Sequence, residues 1–301
     1  MNAASAEAPP LSEQTPQMRR EAYLGIAGFV PPGPELASVS DDVVAGPAGP
    51  IPIRVYSDNA GAATSGVLVF YHGGGWCIGD IESHDEVCRQ LAKESGATVV
   101  SPHYRLGPED RFPAAVDDCY AVLEWVGENK DKLAGPDAKI AVSGDSAGGN
   151  LAAVMALMSR DLGGPEIAMQ LLVYPATDLQ MKGHQSLIDN GTGYVLTKES
   201  MDWFKANYLR SPEDANDWRA SPLAAASHAN LPPALVITAE FDPLRDEGMA
   251  YVQALRDGGT TVTHTNYEGM VHVFFQLGPL VPAGAAAVSE VAAAAKTALG
   301  G

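Results

Sequence analysis

Short apolar runs alternate with amphipathic segments along most of the chain, and this alternation restricts the possible folds more than any other feature. Within the segments between these runs, apolar residues recur at helical spacing, which predicts a helix between successive strands. We therefore predict an α/β fold with a mostly parallel, eight-stranded sheet, helices on both faces and an antiparallel hairpin at about 39–57. Five of the runs have the length of buried strands: GVLVFYH at 66–72, ATVVSPH at 97–103, KIAVSG at 139–144, AMQLLVYP at 168–175 and ALVITAE at 234–240.

One stretch, residues 178–221, interrupts this alternation. It carries four aromatic residues at helix-compatible spacing: Tyr194, Trp203, Phe204 and Tyr208. We predict an insertion that folds over the carboxyl edge of the sheet and acts as a lid. The polar, Pro-rich residues before about 40 are expected to form an N-terminal arm.

The chain is strongly acidic, with 37 Asp and Glu residues against 19 Lys and Arg residues and a formal net charge of -18. Nucleic acid and anionic membranes are poor partners for such a surface, because both are negatively charged. The three cysteines lack C-x-x-C spacing and indicate free thiols in a reducing compartment. The first residues lack the pattern of a signal peptide, so we expect a cytoplasmic protein without stable membrane association.

The stretch GDSAGGN at 144–150 contains a candidate nucleophile, Ser146. Glycines two positions before and after a serine suit a sharp strand-to-helix turn, because side chains there would collide with the neighbouring strand and helix. The turn exposes the hydroxyl, and the N–H of Ala147 at the start of the helix can bind a developing negative charge. The pattern alone is weak evidence, because small residues are common in any turn.

Three further strand ends carry candidate site residues, as expected for open α/β sheets. The run HGGGW at 72–76 offers uncovered backbone N–H groups for an oxyanion, and we interpret His72 as a residue that braces this loop. Asp242 suits a carboxylate that orients an imidazole, and Asp178 is the alternative. His272 follows the last strand and is the candidate base.

The order of Ser146, Asp242 and His272 along the chain is the order expected of a serine hydrolase with this type of sheet. The other histidines show no H-E-x-x-H or similar spacing, so we expect no metal site.

Together these motifs resemble the hormone-sensitive-lipase family (bacterial family IV) of carboxylesterases, which have the α/β-hydrolase fold. The resemblance covers nearly all of the chain after about residue 40. It implies a catalytic triad of Ser146, Asp242 and His272, and no cofactor. It also implies an oxyanion hole made by the backbone N–H groups of Gly73, Gly74 and Ala147. Five stretches carry it: HGGGW at 72–76, YRLGPEDRFPAAVDD at 104–118, GDSAGGN at 144–150, DPLRDEG at 242–248 and YEGMVHVF at 267–274.

The resemblance further implies a helical cap and a division of the chain. Residues 1–40 would be an arm that contributes to the cap, residues 178–221 the cap insertion, and residues 41–177 and 222–301 the catalytic domain. Three positions depart from the family pattern: His103 stands where an acid is usual, Gly107 stands where Ala is usual, and Val273 follows the histidine where Gly is common. We expect four side chains to line the substrate pocket: Trp76, Tyr194, Phe204 and Val273.

We therefore expect a serine carboxylesterase that hydrolyses short- to medium-chain acyl or aryl esters of small molecules through an acyl-enzyme. An amidase or a thioesterase with the same triad is an alternative. A non-catalytic binding protein on this fold is less favoured, because the plant gibberellin receptors that resemble this family have lost the catalytic histidine, whereas His272 is present. The sequence leaves the oligomeric state open between a monomer and a homodimer.

Overall fold

An eight-stranded sheet forms the centre of the protein in the computed structural model, which describes residues 9–59 and 64–301. The strands are β1 (Ser38–Gly46), β2 (Gly49–Ser57), β3 (Val67–Tyr71), β4 (Thr98–Pro102), β5 (Ile140–Asp145), β6 (Ile167–Val173), β7 (Ala234–Phe241) and β8 (Val262–Val271). Their spatial order is β1-β2-β4-β3-β5-β6-β7-β8. The pairs β1/β2 and β2/β4 are antiparallel and all other pairs are parallel, which confirms the predicted sheet and hairpin.

Eight α-helices accompany the sheet: α1 (Pro16–Ala27), α2 (Asp85–Ser95), α3 (Ala114–Ala134), α4 (Ala147–Leu162), α5 (Gln185–Asp189), α6 (Lys198–Tyr208), α7 (Arg245–Asp257) and α8 (Pro282–Leu299), all within the described residues.

Helices cover both faces of the sheet because the side chains of each central strand alternate between two apolar cores. On β3, Val67, Val69 and Tyr71 belong to one core, which includes residues of α3, α4 and α7. Leu68 and Phe70 belong to the other, which includes residues of α2 and α8.

The predicted break in the alternation lies between β6 and β7 and contains α5 and α6. Helix α1 contacts this segment, because the guanidinium carbon of Arg19 lies 4.4 Å from the ring centroids of both Trp203 and Phe204. Arg20 attaches α1 to the loops that follow β3 and β4, because its guanidinium donates hydrogen bonds to the carbonyl oxygens of Cys77 and Gly107, each at 2.9 Å. The arm and the insertion therefore meet above one edge of the sheet.

The three cysteines are buried and unpaired, as the sequence predicted. Among residues 9–59 and 64–301, no helix is both long and apolar enough to cross a membrane.

Candidate active site

Ser146 stands at a sharp turn between β5 and α4, with φ 56° and ψ -116°. This left-handed conformation is costly for a residue with a side chain, and the hydrogen bond from the N–H of Ser146 to the carbonyl oxygen of Val173 (2.9 Å) helps to hold it. A Cβ at Gly148 would overlap the carbonyl oxygen of Tyr71, and a Cβ at Gly144 would overlap the backbone of Gly148. The two flanking glycines are therefore required because α4 packs directly against the ends of β3 and β5.

Ser146, His272 and Asp242 form a continuous hydrogen-bonded chain. The Oγ of Ser146 lies 2.9 Å from Nε2 of His272, and Nδ1 of His272 lies 2.6 Å from Oδ2 of Asp242. Asp242 is fully buried and His272 is 4% exposed, while Ser146 is half-buried. Because an ionised carboxylate only accepts hydrogen bonds, the neutral imidazole carries its proton on Nδ1, and Nε2 is left to accept the proton of the serine hydroxyl.

The loop that carries Asp242 is held by the insertion. The side-chain amide of Asn190 donates to the carbonyl oxygens of Glu240 (3.2 Å) and Asp242 (3.3 Å). The hydroxyl of Ser186 donates to the carbonyl oxygen of Pro243 at 2.8 Å. These contacts restrain the backbone on both sides of the carboxylate, which favours one orientation of the imidazole.

Asp178, the alternative orienting acid, lies in a different pair. Its Oδ2 is 3.0 Å from Nε2 of His184. Burial acts to raise the pKa of Asp178, but hydrogen bonds from His184 and from the N–H of Gln180 outweigh it and hold the pKa below its usual value. The geometry brings Asp242, and not Asp178, to His272.

The loop at 72–76, here called the oxyanion loop, corrects one sequence assignment. The N–H of Gly73 donates to Oδ1 of Asp145 at 2.9 Å, so it is already engaged and does not serve as an oxyanion donor. Within the described part of the chain, the N–H groups of Gly74, Gly75 and Ala147 have no hydrogen-bond partner. The candidate donor set is therefore Gly74, Gly75 and Ala147. Sequence reasoning missed Gly75, because only the fold reveals that Asp145 reaches the first glycine.

His72 is buried at the start of this loop and agrees with its interpretation as a brace. Its ring stacks on Tyr104 with centroids 4.2 Å apart, and its Nδ1 lies 2.8 Å from the carbonyl oxygen of Gly73. Burial, together with the neighbouring His84 and His103, holds the pKa of His72 well below its usual value. A neutral, buried ring is suited to scaffolding rather than to proton transfer with a substrate.

The four predicted pocket residues have different environments, and Trp76 is a second correction. Trp76 is 4% exposed and stacks on Tyr208 with centroids 4.4 Å apart, so it is a core residue rather than a pocket wall. Phe204 is half-buried and packs directly over Gly75, where an added Cβ would overlap its ring. Tyr194 is half-buried and stacks on Phe241.

Val273, the fourth predicted pocket residue, is half-buried and has φ 69°. A β-branched residue rarely adopts this conformation, which explains why glycine is common at the position in the family that the sequence resembles.

No group of three or more His, Cys, Asp or Glu side chains is placed to hold a metal ion among the residues that the structure describes.

Residues 68–276 match the family model of the alpha/beta hydrolase fold. Carboxylic ester hydrolase LipN of Mycobacterium tuberculosis is 44% identical over 270 residues, which are 87% of this chain and 71% of LipN. Ethyl acetate hydrolase of Pseudomonas putida is 36% identical over 236 residues, which are 77% of this chain and 73% of that protein.

Two solved structures have the same fold over nearly their whole length. A hyperthermophilic esterase from Pyrobaculum calidifontis superposes with a TM-score of 0.90 and 43% identity, and the alignment covers 95% of this chain and 94% of that one. The ester-hydrolase EH1AB1 from the metagenome of Lake Arreo, complexed with a derivative of bipyridine phosphonate, has a TM-score of 0.93 and 40% identity, with 100% and 96% covered. The chain therefore belongs to the hormone-sensitive-lipase family of carboxylic ester hydrolases, with the α/β-hydrolase fold.

Proposed function

We propose that the chain is a serine carboxylesterase that hydrolyses short- to medium-chain acyl or aryl esters of small molecules. The observation that carries the proposal is the hydrogen-bonded chain from the hydroxyl of Ser146 through His272 to the buried carboxylate of Asp242, with distances of 2.9 and 2.6 Å. Relatives named as ester hydrolases, such as LipN, support the same conclusion.

In the proposed mechanism, Nε2 of His272 removes the hydroxyl proton while Oγ of Ser146 attacks the ester carbonyl. The carbonyl oxygen becomes an oxyanion, which accepts hydrogen bonds from the N–H groups of Gly74, Gly75 and Ala147. His272 then gives its proton to the leaving alcohol. Water attacks the resulting acyl-enzyme by the same steps, which releases the carboxylic acid and regenerates the serine.

We also propose that residues 1–40 and 178–221 form a cap over the catalytic domain of residues 41–177 and 222–301. Two contacts support this division: Phe204 of the insertion lies over Gly75 of the oxyanion loop, and Arg19 of α1 lies against the same phenylalanine. An acyl or aryl group bound beside Ser146 would then lie under the cap, which excludes water from the reacting carbonyl.

A cytoplasmic location remains our proposal and is supported by three buried, unpaired cysteines. The oligomeric state, monomer or homodimer, is measurable by size-exclusion chromatography with light scattering.

Ser146→Ala tests the proposed nucleophile. We expect kcat for p-nitrophenyl butyrate at about pH 8 to fall by roughly four to six orders of magnitude, because the alanine has no attacking oxygen. The matched control is Ser143→Ala, which removes a buried hydroxyl that contacts the carbonyl oxygen of Leu171 in the same region. The control should retain turnover within a few-fold.

The acetate, butyrate, octanoate and palmitate esters of p-nitrophenol measure the acyl-chain limit in the same assay, and the corresponding anilides and thioesters measure the alternatives. Near-normal turnover in a folded Ser146→Ala variant would refute the assignment. A wild-type protein that cleaves anilides or thioesters but no ester would assign it to the amidase or thioesterase class.

A further inference from the structure

A second chain of polar side chains runs from the oxyanion loop away from the Ser146–His272–Asp242 chain. It begins at Asp145, which is 1% exposed and precedes the nucleophile. Oδ1 of Asp145 accepts the N–H of Gly73 at 2.9 Å, and Oδ2 accepts a hydrogen bond from Nε2 of Gln276 at 2.9 Å. A buried carboxylate is costly unless its oxygens are satisfied, so these contacts strongly fix its position.

His84 completes the surroundings of this carboxylate. Its ring is fully buried, and its Nε2 lies 2.6 Å from Nε2 of Gln276 and 3.1 Å from Oδ1 of Asp145. The hydroxyl of Ser83 donates to the carbonyl oxygen of Asp80, so this hydroxyl accepts from Nδ1 of His84 at 2.9 Å. Nε2 of a neutral ring is then an acceptor. The NH2 group of Gln276 thus has three acceptors within reach: Nε2 of His84 at 2.6 Å, Oδ2 of Asp145 at 2.9 Å and the hydroxyl oxygen of Tyr23 at 2.7 Å.

Tyr23 of helix α1 contacts both polar atoms of the Gln276 amide. Its hydroxyl donates to Oε1 of Gln276 at 2.8 Å and lies 2.7 Å from Nε2 of the same side chain. Burial, and secondarily the negative charge of Asp145, raises the pKa of Tyr23 far above its usual value, so the hydroxyl remains a donor. Gln276 lies in a short 3-10 helix, Phe274–Leu277, that follows His272. The N-terminal arm is thus connected to both reacting loops by a single side chain.

Helix α1 is also attached to the residue that follows the oxyanion loop. Nε of Arg20 donates to the carbonyl oxygen of Cys77 at 2.9 Å. The two attachments, through Tyr23 and through Arg20, lie at opposite ends of the loop that contains Gly74 and Gly75. Undocking of α1 would therefore release this loop at both ends.

We propose that Asp145 is the positioning residue of the oxyanion loop and that Tyr23, acting through Gln276, keeps it in place. This inference rests on the proposed esterase function. The carboxylate fixes the peptide unit of Gly73, and this sets the direction of the two following N–H groups. Because the oxyanion exists only in the transition state and the tetrahedral intermediate, loss of this positioning should lower kcat and leave KM nearly unchanged.

Asp145→Asn replaces one acceptor oxygen with a donor at almost constant side-chain volume. The amide oxygen still accepts the N–H of Gly73, but the new NH2 group faces the NH2 group of Gln276. We expect kcat for p-nitrophenyl butyrate to fall about 10- to 100-fold, with KM within about 3-fold of wild type.

An inhibitor pair separates this positioning role from a general loss of structure. A trifluoromethyl ketone adds to Ser146 and forms an oxyanion, whereas the corresponding alcohol does not. In Asp145→Asn, the Ki of the ketone should rise by the same factor by which kcat/KM falls, and the Ki of the alcohol should stay constant.

Tyr23→Phe tests the contribution of helix α1 and keeps the inference testable if Asp145→Asn does not fold. Loss of the hydroxyl should lower kcat about 3- to 10-fold and raise the Ki of the ketone equally. The matched control is Tyr267→Phe, which removes a tyrosine hydroxyl that donates to the carboxylate of Glu290, between β8 and α8. The control should keep the wild-type kcat and Ki.

Wild-type kcat and Ki in either Asp145→Asn or Tyr23→Phe would overturn the inference. A wild-type protein that hydrolyses no ester at all would overturn the proposed function instead, so the two failures are distinguishable.

Discussion

The substitution Asp242→Asn replaces one carboxylate oxygen with an amino group at almost constant volume, and the structure determines how the new side chain must turn. Oδ1 of Asp242 accepts the backbone N–H of Leu244 at 2.8 Å, and Oδ2 accepts Nδ1 of His272 at 2.6 Å. The N–H of Leu244 is a fixed donor in a buried loop. The amide oxygen must therefore face Leu244, and the NH2 group must face His272.

This orientation places the imidazole proton on the wrong nitrogen. Nδ1 of His272 has to accept from the new NH2 group, so the neutral ring carries its proton on Nε2, which points at Oγ of Ser146, 2.9 Å away. A protonated Nε2 does not accept the serine proton. Serine hydrolases with this defect lose about 10⁴-fold in kcat. At about 1.4 kcal/mol per factor of ten, the expected loss is about 5 kcal/mol of transition-state stabilisation.

Initial rates on p-nitrophenyl butyrate, measured beside the thermal unfolding midpoint of each variant, test this reasoning. The matched control is Asp178→Asn, at a half-buried carboxylate that is hydrogen-bonded to His184 rather than to His272. The control should retain kcat within about tenfold, because its imidazole partner takes no part in the proposed reaction. A folded Asp242→Asn variant with kcat within tenfold of wild type would refute the tautomer argument.

Two further predictions concern stability. Val273→Gly should be more stable than Val273→Ala by about 1 kcal/mol, although glycine is usually the less stable of the two residues. The reason is that the backbone at 273 is left-handed, and only glycine adopts this conformation without strain. Equal denaturant midpoints of the two variants would contradict the strain at this position. Burial, followed by the negative charges of Asp85 and Glu94, raises the pKa of the Glu86 carboxyl from 4.5 to about 7. The stability that the protonated carboxyl contributes is therefore complete below about pH 4.5 and is lost as the pH rises through 7. Glu86→Gln should therefore reduce the drop in unfolding temperature between pH 5 and pH 8 by a few degrees, and an unchanged drop in the scan would contradict the raised pKa.

Helices and strands were predictable because their signals are local. The segment DEVCRQLAKES has helical spacing and is stopped by a glycine, and the structure has helix α2 at Asp85–Ser95 with Gly96 in a left-handed conformation after it. The hairpin at about 39–57 and the five runs predicted as buried strands are confirmed for the same reason. Residues 1–8, part of the predicted arm, lie outside the described residues.

The site was predictable only where its geometry follows from the order of the strands. Ser146, Asp242 and His272 each follow a strand of the parallel part of the sheet, so they share one edge, and the structure brings them within hydrogen-bonding distance. Trp76, which follows three glycines, was predicted as a pocket residue. Its ring turns into the core instead, where Tyr208, far along the chain, offers a flat partner.

The sequence by itself determined the strand-to-helix turn at Ser146, the mostly parallel sheet and the family, because glycine spacing, hydrophobic period and motif order act over short stretches. Only the tertiary structure decided which backbone N–H groups of the oxyanion loop are free. The N–H of Gly73 is hydrogen-bonded to Asp145, Asp145 is hydrogen-bonded to Gln276, and Gln276 is hydrogen-bonded to Tyr23. A hydrogen bond depends on the distance and direction between two atoms, and for residues so far apart in the chain these are set by the packing of the whole domain.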